Sequence, residues 1–185
     1  MNKFKIFTVI TLLFLSTNTY SEDNTKSWKK KCTDSNDKNC FINILYKVKM
    51  PDQDKMQTFA TAILQIGSTK EKIMSLVDEK DQTYKLGEEN KPVTVLFIDL
   101  PLNIDLRKSP LITSDKISLG SPKFLNCNKS IGCRTMAIID EKIIEVFKKG
   151  KSLSITFAVF GTNENITIQF PLNGFTKAYN KLAKG

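Results

Sequence analysis

The chain has 185 residues, a formal net charge of +9 at pH 7 and no histidine. Its length suits one domain with a single hydrophobic core. The absence of histidine excludes Ser-His-Asp and Cys-His catalysis as well as histidine-ligated metals.

The N-terminal segment has the three-part layout of a secretory signal peptide. Two lysines lie within Met1–Lys5, a run of apolar residues and threonine follows at Ile6–Leu15, and small residues stand at Thr19 and Ser21. This order of charged, apolar and small residues is typical of a signal peptide that is removed after export. We therefore predict a signal peptide at residues 1–21.

Cleavage at this point would leave a mature domain at residues 22–185, of which 22–27 are expected to form a flexible arm. The apolar run is shorter than the ~20 residues that a membrane-spanning helix needs. We expect no integral membrane span after cleavage, and an uncleaved N-terminal anchor is the alternative.

Alternating apolar and polar residues predict strands through the first two thirds of the mature chain. The predicted strands are Phe41–Met50, ended by Pro51, then Met56–Ile66, stopped by Gly67, then Lys72–Val77 and Val93–Leu100, and finally Leu111–Leu119, a strand or small hairpin that bends near Ser114 and Asp115.

The last third of the chain predicts a hairpin and two short helices. Apolar residues alternate with small residues from Leu153 to Val159 and return from Ile166 to Phe170 after a turn. Asp140 can cap a helix at Glu141–Lys149, and a second helix is predicted at Phe175–Leu182. Several short strands separated by turns in one domain favour a mainly β fold, a β-sandwich with one or two short helices.

Four cysteines predict two disulfides in an oxidising compartment. Cys32 and Cys40 enclose a polar loop, and Cys127 and Cys133 enclose a turn-like segment, so local pairing fits both pairs. A cross-pairing that closes a longer loop would contribute more stability, and the sequence leaves the connectivity open. No Cys-x-x-Cys motif is present, which argues against a structural zinc site or a redox pair.

No catalytic or cofactor motif is found. Phosphate-cradling glycine loops and the Gly-x-Ser-x-Gly motif are absent. A glycosidase needs only two carboxylates, and Asp99, Asp105, Asp115 and Asp140 are available, but no pattern distinguishes a pair. We predict no catalytic, cofactor-binding or metal residues and no enzyme activity, and a hydrolase that uses carboxylates or a Ser–Lys pair is the less favoured alternative.

The basic residues are lysines, with the exception of Arg107 and Arg134. Because nucleic-acid-binding proteins favour the bidentate arginine fork, we predict no nucleic-acid partner. Solvated surface lysines are the simplest interpretation, and attraction to anionic lipid or polymer is the functional one. The candidate contacts are Lys29, Lys30, Lys31, Lys148, Lys149 and Lys151, and their clustering in space would favour the functional interpretation.

Several short motifs occur in an order that resembles the invasion-associated locus B family of exported bacterial proteins. The shared features are Trp28 before Cys32 and Cys40, then Leu100-Pro101-Leu102, then Cys127 with Gly132-Cys133, then Lys148-Lys149-Gly150-Lys151 after a short helix, and finally Pro171–Ala178, which is similar to a Leu-x-Gly-Phe-Thr-x-Ala ending. Asn103 and Arg134-Thr135 depart from the family pattern.

The resemblance implies an immunoglobulin-like β-sandwich in the periplasm, or outside the cell, of a Gram-negative bacterium. It associates the family with host-cell invasion and brings no catalytic residues to this chain. The first functional hypothesis is a non-catalytic module that binds an unknown protein or envelope component. The second is an envelope-accessory protein that binds anionic lipid or polymer through its lysines.

Overall fold

A computed structural model describes residues 27–33, 39–49, 55–78 and 83–184, with side chains described outside 69–89. The predicted signal peptide, most of the predicted arm and the predicted strand end at Met50–Pro51 lie outside the described residues. None of the described helices is long and apolar enough to cross a membrane.

Ten strands and two helices make up the described chain. In chain order they are β1 Lys29–Cys32, β2 Cys40–Lys49, β3 Met56–Asp78, β4 Thr83–Leu100, β5 Leu111–Ser114, β6 Ile117–Gly120, β7 Phe124–Asn128, β8 Gly132–Ile139, α1 Glu141–Lys149, β9 Ser152–Ala158, β10 Asn165–Pro171 and α2 Phe175–Ala183. The strands form two antiparallel sheets, one ordered β1-β2-β3-β4-β8-β7 and the other β10-β9-β5-β6.

The core lies between the inner faces of the two sheets. Alternate residues of β2 and β4, such as Ile42 and Ile98, are fully buried and meet buried residues of the second sheet, such as Ile155 and Phe170. The Tyr46 ring crosses from the first sheet and contacts Phe170 edge-on, with 6.2 Å between ring centroids. The predicted mainly β, single-domain sandwich with two short helices is confirmed.

Helix α1 begins and ends where the sequence predicts. The Asp140 carboxylate accepts the backbone N–H of Ile143 at 2.8 Å, which satisfies one of the unpaired donors of the first turn. At the other end, the N–H of Gly150 donates to the carbonyl of Val146 at 2.8 Å. Ile144 and Phe147 bury the apolar face of the helix.

The predicted break at Gly67 is wrong, because β3 runs without interruption from Met56 to Asp78. Gly67 stands opposite Val93 of β4, and the ladder of paired residues continues on both sides of it. A glycine weakens a strand interior but does not end one that has a paired neighbour. Strands β3 and β4 therefore pair as a two-stranded ribbon beyond the residues that pair with β2 and β8.

Both disulfides are local, Cys32–Cys40 and Cys127–Cys133. In each, the two cysteines are directly opposite one another on neighbouring strands. The first joins β1 to β2 and the second joins β7 to β8, and β1 and β7 are the two outermost strands of the larger sheet. Each bridge therefore holds an edge strand to its neighbour.

We expect Cys127→Ser to lower the free energy of unfolding by about 2–3 kcal/mol, the amount that the chain-entropy model gives for a loop this small. Chemical denaturation of the variant beside wild type measures the change. Non-reducing peptide mapping should yield the Cys127–Cys133 peptide from wild type, and a Cys32–Cys127 peptide would contradict the pairing.

Candidate functional site

Helix α2 docks on the sandwich through an apolar stripe. Gly174, with a φ of +76°, turns the chain out of the loop that follows β10. Phe175, Ala178 and Leu182 follow at helical spacing and are buried. Within the helix, the Phe175 ring stacks on the Tyr179 ring, with 5.8 Å between the ring centroids.

One flank of α2 contacts the segment that leads into β1. The Trp28 ring meets Phe175 edge-on at 5.3 Å. Its indole N–H donates to the carbonyl of Pro171 at 3.0 Å, and its backbone N–H donates to the carbonyl of Asn173 at 3.3 Å. These contacts fix the start of β1 beside α2.

The other flank contacts the end of α1. The Phe147 ring meets Phe175 edge-on at 5.4 Å, and the Thr176 hydroxyl donates to the carbonyl of Lys148 at 3.4 Å. The Lys148 ammonium lies 5.3 Å from the centroid of the Tyr179 ring, a cation–π geometry. Phe175 therefore contacts the neighbours of both lysine segments that the sequence singled out.

The structure brings some of the predicted lysines together and separates others. Lys30 is paired with the buried Ile42, on the face of the sheet that α2 covers. Lys148 lies on the other flank, against Tyr179, and the carbonyl of Lys151 accepts the N–H of Leu172 at 2.9 Å. Lys149 lies apart from them, in a pocket that Asp115, Lys142 and Glu145 also line. Since side chains alternate along a strand, Lys29 and Lys31 lie on the opposite face of the sheet from Lys30.

Helix α2 adds lysines that the sequence did not single out. Lys177, Lys181 and Lys184 are exposed and fall on one side of the helix, away from Phe175. We call the combined set the lysine face, and its members are Lys30, Lys148, Lys151, Lys177, Lys181 and Lys184.

Carboxylates lie near two residues of the lysine face, Glu145 near Lys148 and Asp115 near Lys151. Glu145 accepts a hydrogen bond from Lys148 at 2.8 Å, which raises the pKa of Lys148 and lowers that of Glu145. Within the described residues, no other lysine of the face forms an ion pair, and α2 itself carries no acidic side chain. Lys177 and Lys181 stand one turn apart, a like-charge arrangement that slightly disfavours the helix.

Both arginines are engaged in the fold. Arg134 forms a bidentate pair with Asp99, with nitrogen–oxygen distances of 2.6 and 2.8 Å, and its guanidinium lies 5.3 Å from the Phe97 centroid. Arg107 forms the equivalent pair with Asp105 at 2.8 and 2.9 Å. The basic groups left for a ligand are thus lysines, which act as point charges and not as planar forks.

The four candidate carboxylates hold structural partners. Asp99 and Asp105 pair with arginines, and Asp140 caps α1. Asp115 accepts hydrogen bonds from the backbone N–H groups of Lys151 and Ser152 at 2.6 and 3.0 Å. The hydrogen bond from Arg107 lowers the pKa of Asp105 to about 2, and the bond from Lys151 lowers that of Asp115. Carboxyls with depressed pKa values stay ionised and are poor general acids near neutral pH.

No group of side chains suited to a metal ion occurs within the described ranges. One cleft, of about 440 Å³, lies between the start of β3, the end of β4 and the turn Lys129–Gly132. Its one carboxylate is Asp99, which already pairs with Arg134. No second carboxylate lines this cleft, and its other polar side chains are those of Thr58, Thr61, Lys129 and Ser130.

The fold and this face together define a disulfide-linked, two-sheet β protein with a basic surface around its C-terminal helix. Residues 28–183 match the family model described as invasion associated locus B (IalB) protein. The chain belongs to the invasion-associated locus B family.

A solved structure shows the same fold. The crystal structure of invasion associated protein B from Bartonella henselae superposes with a TM-score of 0.59 at 16% sequence identity, over 85% of this chain and 92% of that one. Among curated proteins, none matches this chain significantly.

Proposed function

We propose that this protein is an exported, non-catalytic binding module that attaches to phosphate-rich anionic surfaces through its lysine face. The observation that carries the proposal is the position of α2, which presents Lys177 and Lys181 and packs against two lysine-bearing segments, the start of β1 and the end of α1. The signal-peptide pattern at residues 1–21 and the two disulfides support export. A role other than hydrolysis is supported by the structural partners of the four candidate carboxylates, Asp99, Asp105, Asp115 and Asp140.

The composition of the face favours a diffuse anionic surface over a single bound phosphate. An arginine side chain would bind a phosphate in one orientation through two parallel hydrogen bonds. Arg107 and Arg134 are both already paired with carboxylates. Exposed lysines on a docked helix instead give an attraction that depends on the charge density of the partner and weakens with salt. Each lysine close to an anionic membrane contributes about 1 kcal/mol to the free energy of membrane binding.

Vesicle binding tests the proposal. The mature protein should bind vesicles that contain phosphatidylglycerol and not vesicles of phosphatidylcholine alone, and added salt should weaken the binding. The double variant Lys177→Glu/Lys181→Glu should bind at least roughly 30-fold more weakly, since two favourable charges are lost. A parallel titration with soluble polyphosphate separates a preference for a lipid surface from a preference for any phosphate polymer.

The matched control is Lys49→Glu/Lys129→Glu, which changes the net charge equally at exposed positions away from α2. It should retain binding to within about twofold of wild type. An equal loss in both double variants would show that net charge alone drives binding and would refute the lysine face as the site.

A further inference from the structure

Strand β7 forms one edge of the larger sheet, and β8 is its one strand neighbour in the part of the chain that the structure describes. Residues 125–128 are exposed, and the strand contains no charged residue and no proline. Proteins usually protect an edge with lysine, proline, a β-bulge or a covering element, because its unpaired backbone groups can bind another strand.

The opposite edge of the same sheet is protected in this way. Strand β1 has lysine at three of its four positions, Lys29–Lys31, and α2 packs beside it. Strand β7 has the register shift at Leu125 as its one protective feature and no charge of its own, so it is the less protected edge of this sheet.

A cleft of about 390 Å³ runs beside β7. Leu106 and Leu125 line it with side chains that are 54% and 53% exposed. The rest of the lining is Arg107, Ser109, Lys123, Phe124, Asn126 and Cys127, so the cleft is partly apolar and carries two cations. The register between β7 and β8 shifts at Leu125, which has no partner residue on β8. An added strand would therefore find both a backbone edge and an apolar recess for its side chains.

The edge is rigidly held. The Cys127–Cys133 disulfide ties β7 to β8, and the Thr135 hydroxyl donates to the carbonyl of Lys123 at 2.9 Å. At the far end, the Asn128 side chain accepts the N–H groups of Ser130 and Ile131, both at 3.0 Å. A strand fixed in this way loses little conformational entropy when it binds a partner.

The charges around β7 define the partner. Exposed Lys123 and Lys129 flank the strand, and no carboxylate lines the cleft. If two copies of the chain paired through β7 about Asn126, Lys123 of one copy would stand opposite Lys129 of the other, and like charges opposite one another are unfavourable. A strand with acidic residues at its ends is complementary instead.

We propose that β7 binds an extended segment of a partner protein by strand addition, and that this segment is apolar at its centre and acidic at both ends. The site is separate from the lysine face, so the two sites can be tested independently.

A synthetic peptide, acetyl-Glu-Asp-Val-Thr-Val-Thr-Val-Asp-Glu-amide, serves as the probe. We expect it to bind the mature protein in calorimetric titration and to slow hydrogen exchange at the amides of residues 125–128. N-methylation at alternate residues removes the donors that strand addition uses and should weaken binding by at least roughly tenfold. The same peptide with lysine in place of its acidic residues should also bind at least roughly tenfold more weakly.

Leu125→Lys places a protective charge on the edge and should weaken binding by roughly tenfold or more. Ile117→Lys, at a position 52% exposed on the edge strand β6, is the matched control and should bind as wild type does. Lys177→Glu/Lys181→Glu should also leave peptide binding unchanged, which excludes capture of the acidic peptide by the lysine face. Equal effects of Leu125→Lys and Ile117→Lys, or no binding by wild type, would overturn the proposal. A wild-type dimer that Leu125→Lys dissociates would assign the edge to a second copy and overturn it as well.

Discussion

Phe175→Ala will lower the free energy of unfolding by about 3–5 kcal/mol, the range for removing a buried aromatic ring. The side chain is fully buried and its ring contacts Trp28, Phe147 and Tyr179 at centroid distances of 5.3, 5.4 and 5.8 Å. The cavity would lie where α2 meets both α1 and the start of β1, so three segments lose a shared contact. Chemical denaturation of the variant beside wild type measures the loss.

Phe160→Ala is the control for this experiment, because Phe160 is 59% exposed. Its removal should change the free energy of unfolding by less than about 1 kcal/mol. A melt of Phe175→Ala that overlays wild type would instead make Phe175 an exposed anchor for a partner and would remove the basis for the docking of α2.

Gly132→Ala will destabilise the fold by more than about 3 kcal/mol, because two separate costs add. Gly132 has a φ of +80°, and a Cβ built on it would overlap the carbonyl oxygen of Leu100 and lie 3.0 Å from the carbonyl carbon. The carbonyl belongs to the backbone of β4, the neighbour of β8, so neither strand can move aside without breaking the pairing that joins them. Thermal and chemical melts of the oxidised protein measure the effect.

Gly161→Ala isolates the conformational part of that cost. Gly161 has nearly the same φ, +76°, and a Cβ added to it would meet no atom within 4 Å other than those of its own chain neighbours. Its replacement should cost only about 1–2 kcal/mol, the penalty of a left-handed residue with a side chain. If the two variants were equally stable, the close approach of Gly132 to Leu100 would have no energetic consequence.

The strands that the sequence predicts are those in which apolar residues alternate with small or polar ones. Strand β9 alternates because Leu153 and Ile155 face the core while their neighbours are small and polar. Strand β7 shows no alternation because it is exposed on both faces at the sheet edge. Strand β8 shows no alternation of apolar core residues with polar surface residues, because Cys133 and Thr135 are buried while Ile138 is exposed. These two strands were not predicted, and neither was the short β1.

The candidate site was predictable only in part. The charge runs at Lys29–Lys31 and Lys148–Lys151 are visible in the sequence, but their approach depends on Phe175, which lies far from the first run along the chain. The lysines of α2 could have been found from their spacing of four residues opposite the predicted apolar stripe. The pairing of Asp99 with Arg134 depends on the register of β4 and β8, which local patterns do not specify.

Each disulfide joins two cysteines with no other cysteine between them in the sequence. Four cysteines permit three connectivities, yet a chain that enters an oxidising compartment from its N-terminus would present Cys32 and Cys40 together before Cys127 appears. If each pair of cysteines is oxidised as it enters the compartment, the native disulfides form directly and no exchange of non-native disulfides is needed. Maturation should accordingly depend on a thiol oxidase and be indifferent to a disulfide isomerase.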